Sequence, residues 1–117
     1  MERNFKALIV WFILNGKTEK ALQMLAEHYG VEMPKLKVGL PKGHQKKVLG
    51  CYSARDRTIS VLNSDMLKEP FTVIHEFYHH VRTNVNAEHK GTEKHANAFA
   101  REFIEAYKSA TRALGNN

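Results

Sequence analysis

The sequence predicts an α+β domain: helices at the N-terminus, a small antiparallel sheet of about three strands, then two further helices. Three observations predict it. Apolar residues recur at helical spacing near both ends of the chain, as in Ala21, Leu22, Leu25, Ala26 and Tyr29. Between residues 31 and 65 the spacing changes to strand-like alternation, and two of the three prolines fall there. The 117 residues show no repeat and no linker, so residues 1–117 read as one domain. Helices flanking a run of strands give the α+β class.

The elements follow in order. Residues 7–14 (ALIVWFIL) form an apolar run of eight, read as a buried N-terminal helix. A membrane-spanning helix needs roughly 20 residues, so no membrane span is expected. Asn15-Gly16 breaks the run, and Thr18 is placed to cap a second helix through Tyr29. Gly30 stands where a left-handed C-terminal residue belongs. Leu36, Val38 and Leu40 alternate with Lys35, Lys37 and Gly39, and residues 48–53 and 58–62 are two more short strands. Arg55-Asp56-Arg57 is the turn between those two. Pro70 opens a helix to about Thr83, since its missing N–H would have no partner there anyway. After a polar loop over 84–91, a last helix runs from about Thr92 to Leu114. Its apolar stripe is Ala96, Phe99, Ala100, Phe103, Ile104, Tyr107 and Leu114.

Composition narrows the class. With 43% hydrophobic and 26% charged residues the chain has the means to build a core, which excludes a disordered or low-complexity protein. A single cysteine, Cys51, excludes a disulfide framework and a cysteine-rich zinc ribbon. It suits a reducing compartment, and a cytoplasmic location is expected. Cys51 itself reads as a core residue beside the cleft, since no base is at hand to activate it. Trp11 and the methionines read as packing. The net charge of +6 favours anionic partners, nucleic acid among them. Lys35, Lys37, Lys42, Lys46, Lys47, Arg55 and Arg57 make segment 35–57 the candidate for a weak nucleic-acid contact. Apart from Tyr52 that segment lacks the interleaved aromatics of a single-strand groove, so a solvated sheet face is its simpler reading.

The chemistry concentrates in His75-Glu76-Phe77-Tyr78-His79, an H-E-x-x-H sequence. On a helix, positions i and i+4 share a face, so two imidazoles can grip one metal ion. Glu76 lies about 100° around the helix from His75, displaced from ligation but able to reach a water at the metal. Val73, Ile74, Phe77 and Val81 take the other side and dock the helix on the core. Hydrolytic zinc needs a third protein ligand and one open position. His80, Glu88, His89, Glu93 and His95 are the downstream candidates. His80 points about 100° away from His79, and His89 misses the metzincin spacing. Glu93 opens the last helix, whose first turn can return beside His79. Taken alone, it could simply be an acid favoured at a helix start, the plainer alternative to ligation. Asn97 lies one turn beyond and could hydrogen-bond the far nitrogen of a ligand histidine.

His75-Glu-Phe-Tyr-His79, followed by Glu93-Lys-His-Ala96-Asn97-Ala-Phe99-Ala100, resembles the ImmA/IrrE metallopeptidases. These are small zincins of the gluzincin kind, with H-E-x-x-H and an E-x-x-A-N-x-F-A helix. The likeness extends over roughly residues 20 to 107, including the strands that lead into the motif. It implies one zinc ion per chain held by His75, His79 and Glu93, with Glu76 as general base. It also implies a zinc endopeptidase of restricted specificity, acting on a protein or peptide that is itself regulatory, such as a DNA-binding repressor. An oxyanion stabiliser is required, and Tyr78, His80, Tyr52 and Tyr107 are its candidates. Only 13 residues separate His79 from Glu93, which leaves little room for insertions over the cleft. SprT-type proteases, which act on DNA-crosslinked proteins, share the layout and are the second reading. A non-catalytic zincin module, for example half of a toxin–antitoxin pair, is the third.

Overall fold

A computed structural model describes residues 2–43, 48–85 and 93–115. Helices α1 (Glu2–Leu14) and α2 (Thr18–Tyr29) come first, then strands β1 (Lys35–Val38), β2 (Gly50–Ser53) and β3 (Thr58–Val61). A short 3-10 turn (Ser64–Lys68) leads into α3 (Pro70–Val85), and α4 (Glu93–Gly115) completes the fold.

The predicted order of elements holds, and the departures have local causes. The N-cap of α2 is Lys17, whose side chain caps nothing. Thr18 is already inside the helix, and its hydroxyl donates instead to the carbonyl of Leu67, fastening α2 to the turn before α3. Gly30 is left-handed as expected, with φ 69°. The start of α3 is set by Glu69, whose carboxylate accepts from the Thr72 amide at 3.2 Å, just ahead of Pro70. Helix α3 continues through Val85, past its expected end at about Thr83, and the rest of the polar loop expected over 84–91 lies outside the described residues.

The sheet has the three expected strands, in the order β1-β3-β2. β2 and β3 form an antiparallel hairpin pairing Cys51 with Ser60 and Tyr52 with Ile59. β1 corrects the wholly antiparallel expectation: it lies parallel to β3, with Leu36 beside Ile59. The sheet is therefore mixed. Alternation reports which face of a strand is buried, not the direction of its neighbour. Here the chain passes through the hairpin before β3 returns to the side of β1.

One core joins all the layers. Ile9, Val10 and Ile13 of α1, Leu22 and Leu25 of α2, Ile59 and Val61 of β3, Val73, Ile74 and Phe77 of α3, and Phe103 of α4 are buried together. Helix α1 buries one face only: Leu8, Trp11 and Leu14 stay 42%, 44% and 40% exposed, so the N-terminal helix is half-buried. In α4 the stripe is buried at Ala96, Ala100 and Phe103, while Leu114 is 79% exposed because the helix outruns the core. β2 is an edge strand packed against α3. A Cβ on Gly50 would lie 2.8 Å from the Thr72 methyl and 3.5 Å from Cγ of Glu76, so glycine permits this close approach.

Candidate metal centre

Helix α3 presents two faces. Val73, Ile74 and Phe77 are fully buried in the core, while His75 and His79 turn toward the start of α4. There the Nε2 atoms of both histidines meet one carboxylate. His75 Nε2 lies 2.7 Å from Glu93 Oε1, and His79 Nε2 lies 3.2 Å from Glu93 Oε2. The histidine side chains are 12% and 17% exposed and Glu93 is 74% exposed, so two fixed imidazoles face a carboxylate free to adjust. Phe71 packs on the His75 ring at 6.0 Å and Tyr78 on the His79 ring at 5.9 Å, which limits their rotation.

These residues form a cluster able to hold a metal ion, with all ligand atoms within 4.8 Å of one another. Zinc–ligand bonds of about 2.0–2.1 Å put tetrahedral neighbours roughly 3.3 Å apart. The observed 2.7 and 3.2 Å lie just inside that span, and a small outward shift of Glu93 admits the ion. Two imidazoles and a carboxylate are a donor set that hydrolytic zinc sites use. Nδ1 of His75 is buried with no hydrogen-bond partner among the described residues. Asn97, half-buried one turn after Glu93, therefore does not bond that nitrogen.

Glu76 stands beside the cluster, 8% exposed. Burial, reinforced by the nearby charge of Glu93, pushes its carboxyl up to about 7. Burial lowers His79 from its ordinary value, against the opposing pull of Glu93. A neutral imidazole is the form that ligates metal.

Glu76, His79 and Glu93 line a cleft of about 480 Å³ with Val48, Gly50, Cys51, Tyr52, Ala54 and Thr83. A larger groove of about 710 Å³ lies between α1 and α4. Its walls carry arginines, lysine and glutamates, and the ligating cluster borders the smaller cleft instead. Of the four oxyanion candidates only Tyr52 lines this cleft. His80 is wholly buried, its Nδ1 2.7 Å from the Tyr52 hydroxyl and its Nε2 2.7 Å from the Glu32 carbonyl. Burial, with Arg57 adding to it, holds that imidazole neutral down to about 4. Tyr78 packs against Phe99 at 5.3 Å, and Tyr107 packs against the core.

Cys51 lines the cleft, where burial and then Glu76 push its thiol up, away from nucleophilic use. Glu88 and His89 lie outside the described residues, as do Lys46 and Lys47 of the basic segment. Lys35 and Lys37 are exposed on β1, and Arg57 pairs with Glu32. Thr83 and Gly50 are cleft residues that the sequence reading missed. For Thr83 a signal existed: it is four residues after His79, on the same helical face.

Comparison with known proteins finds no match among family profiles, curated proteins or solved structures. What the geometry establishes is coarser than a family. The arrangement is zincin-like. An H-E-x-x-H helix and the first residue of the following helix converge three ligating side chains beside a small mixed sheet. Among the described residues no helix is long and apolar enough to cross a membrane.

Proposed function

We propose that the chain is a zinc-dependent endopeptidase of restricted specificity, similar to the ImmA/IrrE group, cleaving a regulatory protein such as a repressor. One observation carries the reading. Two α3 imidazoles and the Glu93 carboxylate converge beside the buried side chain of Glu76. His75, His79 and Glu93 are the ligands in this reading. Zinc, when bound, supplies Lewis acidity that polarises a scissile carbonyl and acidifies water. Glu76 takes the proton of the attacking water on its carboxylate and returns it to the leaving amine. The apolar cleft wall of Val48, Gly50 and Ala54 accommodates an extended peptide laid along β2, whose outer edge pairs with no other strand among the described residues. Asn97 is a proposed orienting group that reaches a ligand histidine through a rearrangement of its side chain.

The test combines metal analysis with cleavage of a proteome-derived peptide library read by mass spectrometry. One zinc per chain and a defined set of cut sites are expected. Glu76→Gln should keep the zinc and lose cleavage by about 10²–10⁴-fold. Equal cleavage by that variant would remove Glu76 from its role. A protein that takes up no zinc would favour the non-catalytic module. The DNA-associated reading rests on the exposed Lys35 and Lys37 and the net charge of +6. It requires salt-dependent DNA binding that charge reversal at Lys35 and Lys37 weakens.

A further inference from the structure

We propose that His80 is the positioning residue of the cleft, acting through Tyr52. The imidazole ties the strand that forms the cleft rim to the helix that carries the metal ligands. The inference rests on the reading of the cleft as a peptide site.

The hydrogen-bond partners at the two ring nitrogens indicate the direction of this link. The Glu32 carbonyl can only accept, so His80 Nε2 carries the hydrogen across that 2.7 Å contact. A neutral imidazole then has a lone pair at Nδ1, and the Tyr52 hydroxyl 2.7 Å away donates to it. Tyr52 lies inside β2, His80 on α3, and Glu32 in the lead-in to β1. Three parts of the fold thus meet at one imidazole that is 0% exposed. Its ring also stacks edge-on against Tyr52 at 5.4 Å and lies 5.8 Å from Phe77.

Filling this volume alone would need only a leucine or phenylalanine. A buried polar group is costly unless it is bonded, and when bonded it specifies position rather than volume. The position matters here because the reacting parts are divided. His75, Glu76 and His79 are on α3, whereas a peptide laid on the rim would be held by β2. The spacing between the two elements sets how firmly a peptide on the rim is held beside Glu76. Gly50 shows how close that spacing is, since a Cβ there would approach the Thr72 methyl to 2.8 Å. Adjacent residues of one helix divide the work: His79 faces the cluster, and His80 faces away and holds the rim.

A consequence concerns Tyr52. It lines the cleft, yet its one hydroxyl proton is committed to His80. It is therefore a rim residue and not the donor that stabilises an oxyanion.

Two measurements on the full chain test this. Long-range ¹H–¹⁵N spectra of the imidazoles at pH 7 should show His80 as the Nε2–H tautomer with Nδ1 accepting a hydrogen bond. Tyr52→Phe should remove that Nδ1 bond and speed amide exchange in β2, with zinc content unchanged. On a library peptide that the zinc-loaded wild type cleaves, Tyr52→Phe should raise KM about tenfold and leave kcat within about threefold, the pattern of lost binding. Loss of an oxyanion donor would instead lower kcat by about 10²–10³-fold. An Nδ1–H tautomer, unchanged β2 exchange, or a kcat loss with unaltered KM overturns the proposal. If no peptide is cleaved, the peptidase reading fails by itself, and the tautomer and exchange data still decide whether the link exists.

Discussion

Gly50 has no side chain, yet it governs how closely the cleft rim approaches α3. Its substitution by alanine must displace β2, because the new methyl meets Thr72 Cγ2 at 2.8 Å and the Ser60 carbonyl at 3.2 Å. Gly50→Ala is expected to cost about 1–3 kcal/mol, as overpacking does, and to lower the thermal midpoint. Scanning calorimetry checks the first figure, and peptide cleavage should fall with it. Tyr29 gives a separate residue-level expectation. Burial, then the charges of Glu2 and Glu102, push its phenol up to about 12 from an ordinary value near 10. The fold favours the protonated form, so this contribution is complete below pH 10 and is lost as pH rises toward 12. Urea midpoints at pH 9 and pH 11.5 should differ less for Tyr29→Phe than for the wild type. At this scale the sequence was informative where spacing carries the meaning. His75, Glu76 and His79 were legible because a helix converts i, i+1 and i+4 into directions. Gly50, the Glu69 cap and the Tyr52–His80 bond were not, because each depends on a partner brought close only by tertiary packing.

The helices were legible from their 3.6-residue period, and the ends of α2 and α4 fell within a residue or two of expectation. Strand direction was not, since β1 would show the same alternation beside an antiparallel neighbour. The thin side of α1 was also hidden: eight consecutive apolar residues cover every direction around a helix, and only packing decides which side is buried. Phe103 shows what holds these elements together. It is fully buried on α4, packs against Phe99 at 5.1 Å and has the Lys6 ammonium 5.4 Å above its ring. Phe103→Ala should cost about 3–5 kcal/mol by leaving a cavity between α4 and α1. Denaturant titration would register it as a lower midpoint with an unchanged slope.

For the whole molecule, the three side chains able to hold an ion divide between two helices, two on α3 and one on α4. An ion bound there would join them and would bind the folded chain in preference to the unfolded one. Free zinc at 1,000 times its Kd should add about 4 kcal/mol of stability. A strong chelator should remove that increment and lower the melting temperature. Glu93→Gln should abolish the zinc-dependent rise while leaving the metal-free melting temperature nearly unchanged, because the side chain is 74% exposed. A fall in the metal-free value would mean that Glu93 supports the fold directly. The sequence made this division of ligands visible through the Glu93 to Ala100 pattern. It did not show that the carboxylate engages both histidines at once.

Trp11 bears on how all these measurements can be followed. It is the chain's only indole, and it is 44% exposed on α1, away from the residues that line the cleft. Its emission is already partly that of a solvated chromophore in the native state, so unfolding should red-shift it only slightly. It should also be nearly silent to events at the cluster. Circular dichroism, or cobalt exchanged into the site as a visible-absorbing reporter, is the better optical handle on this protein.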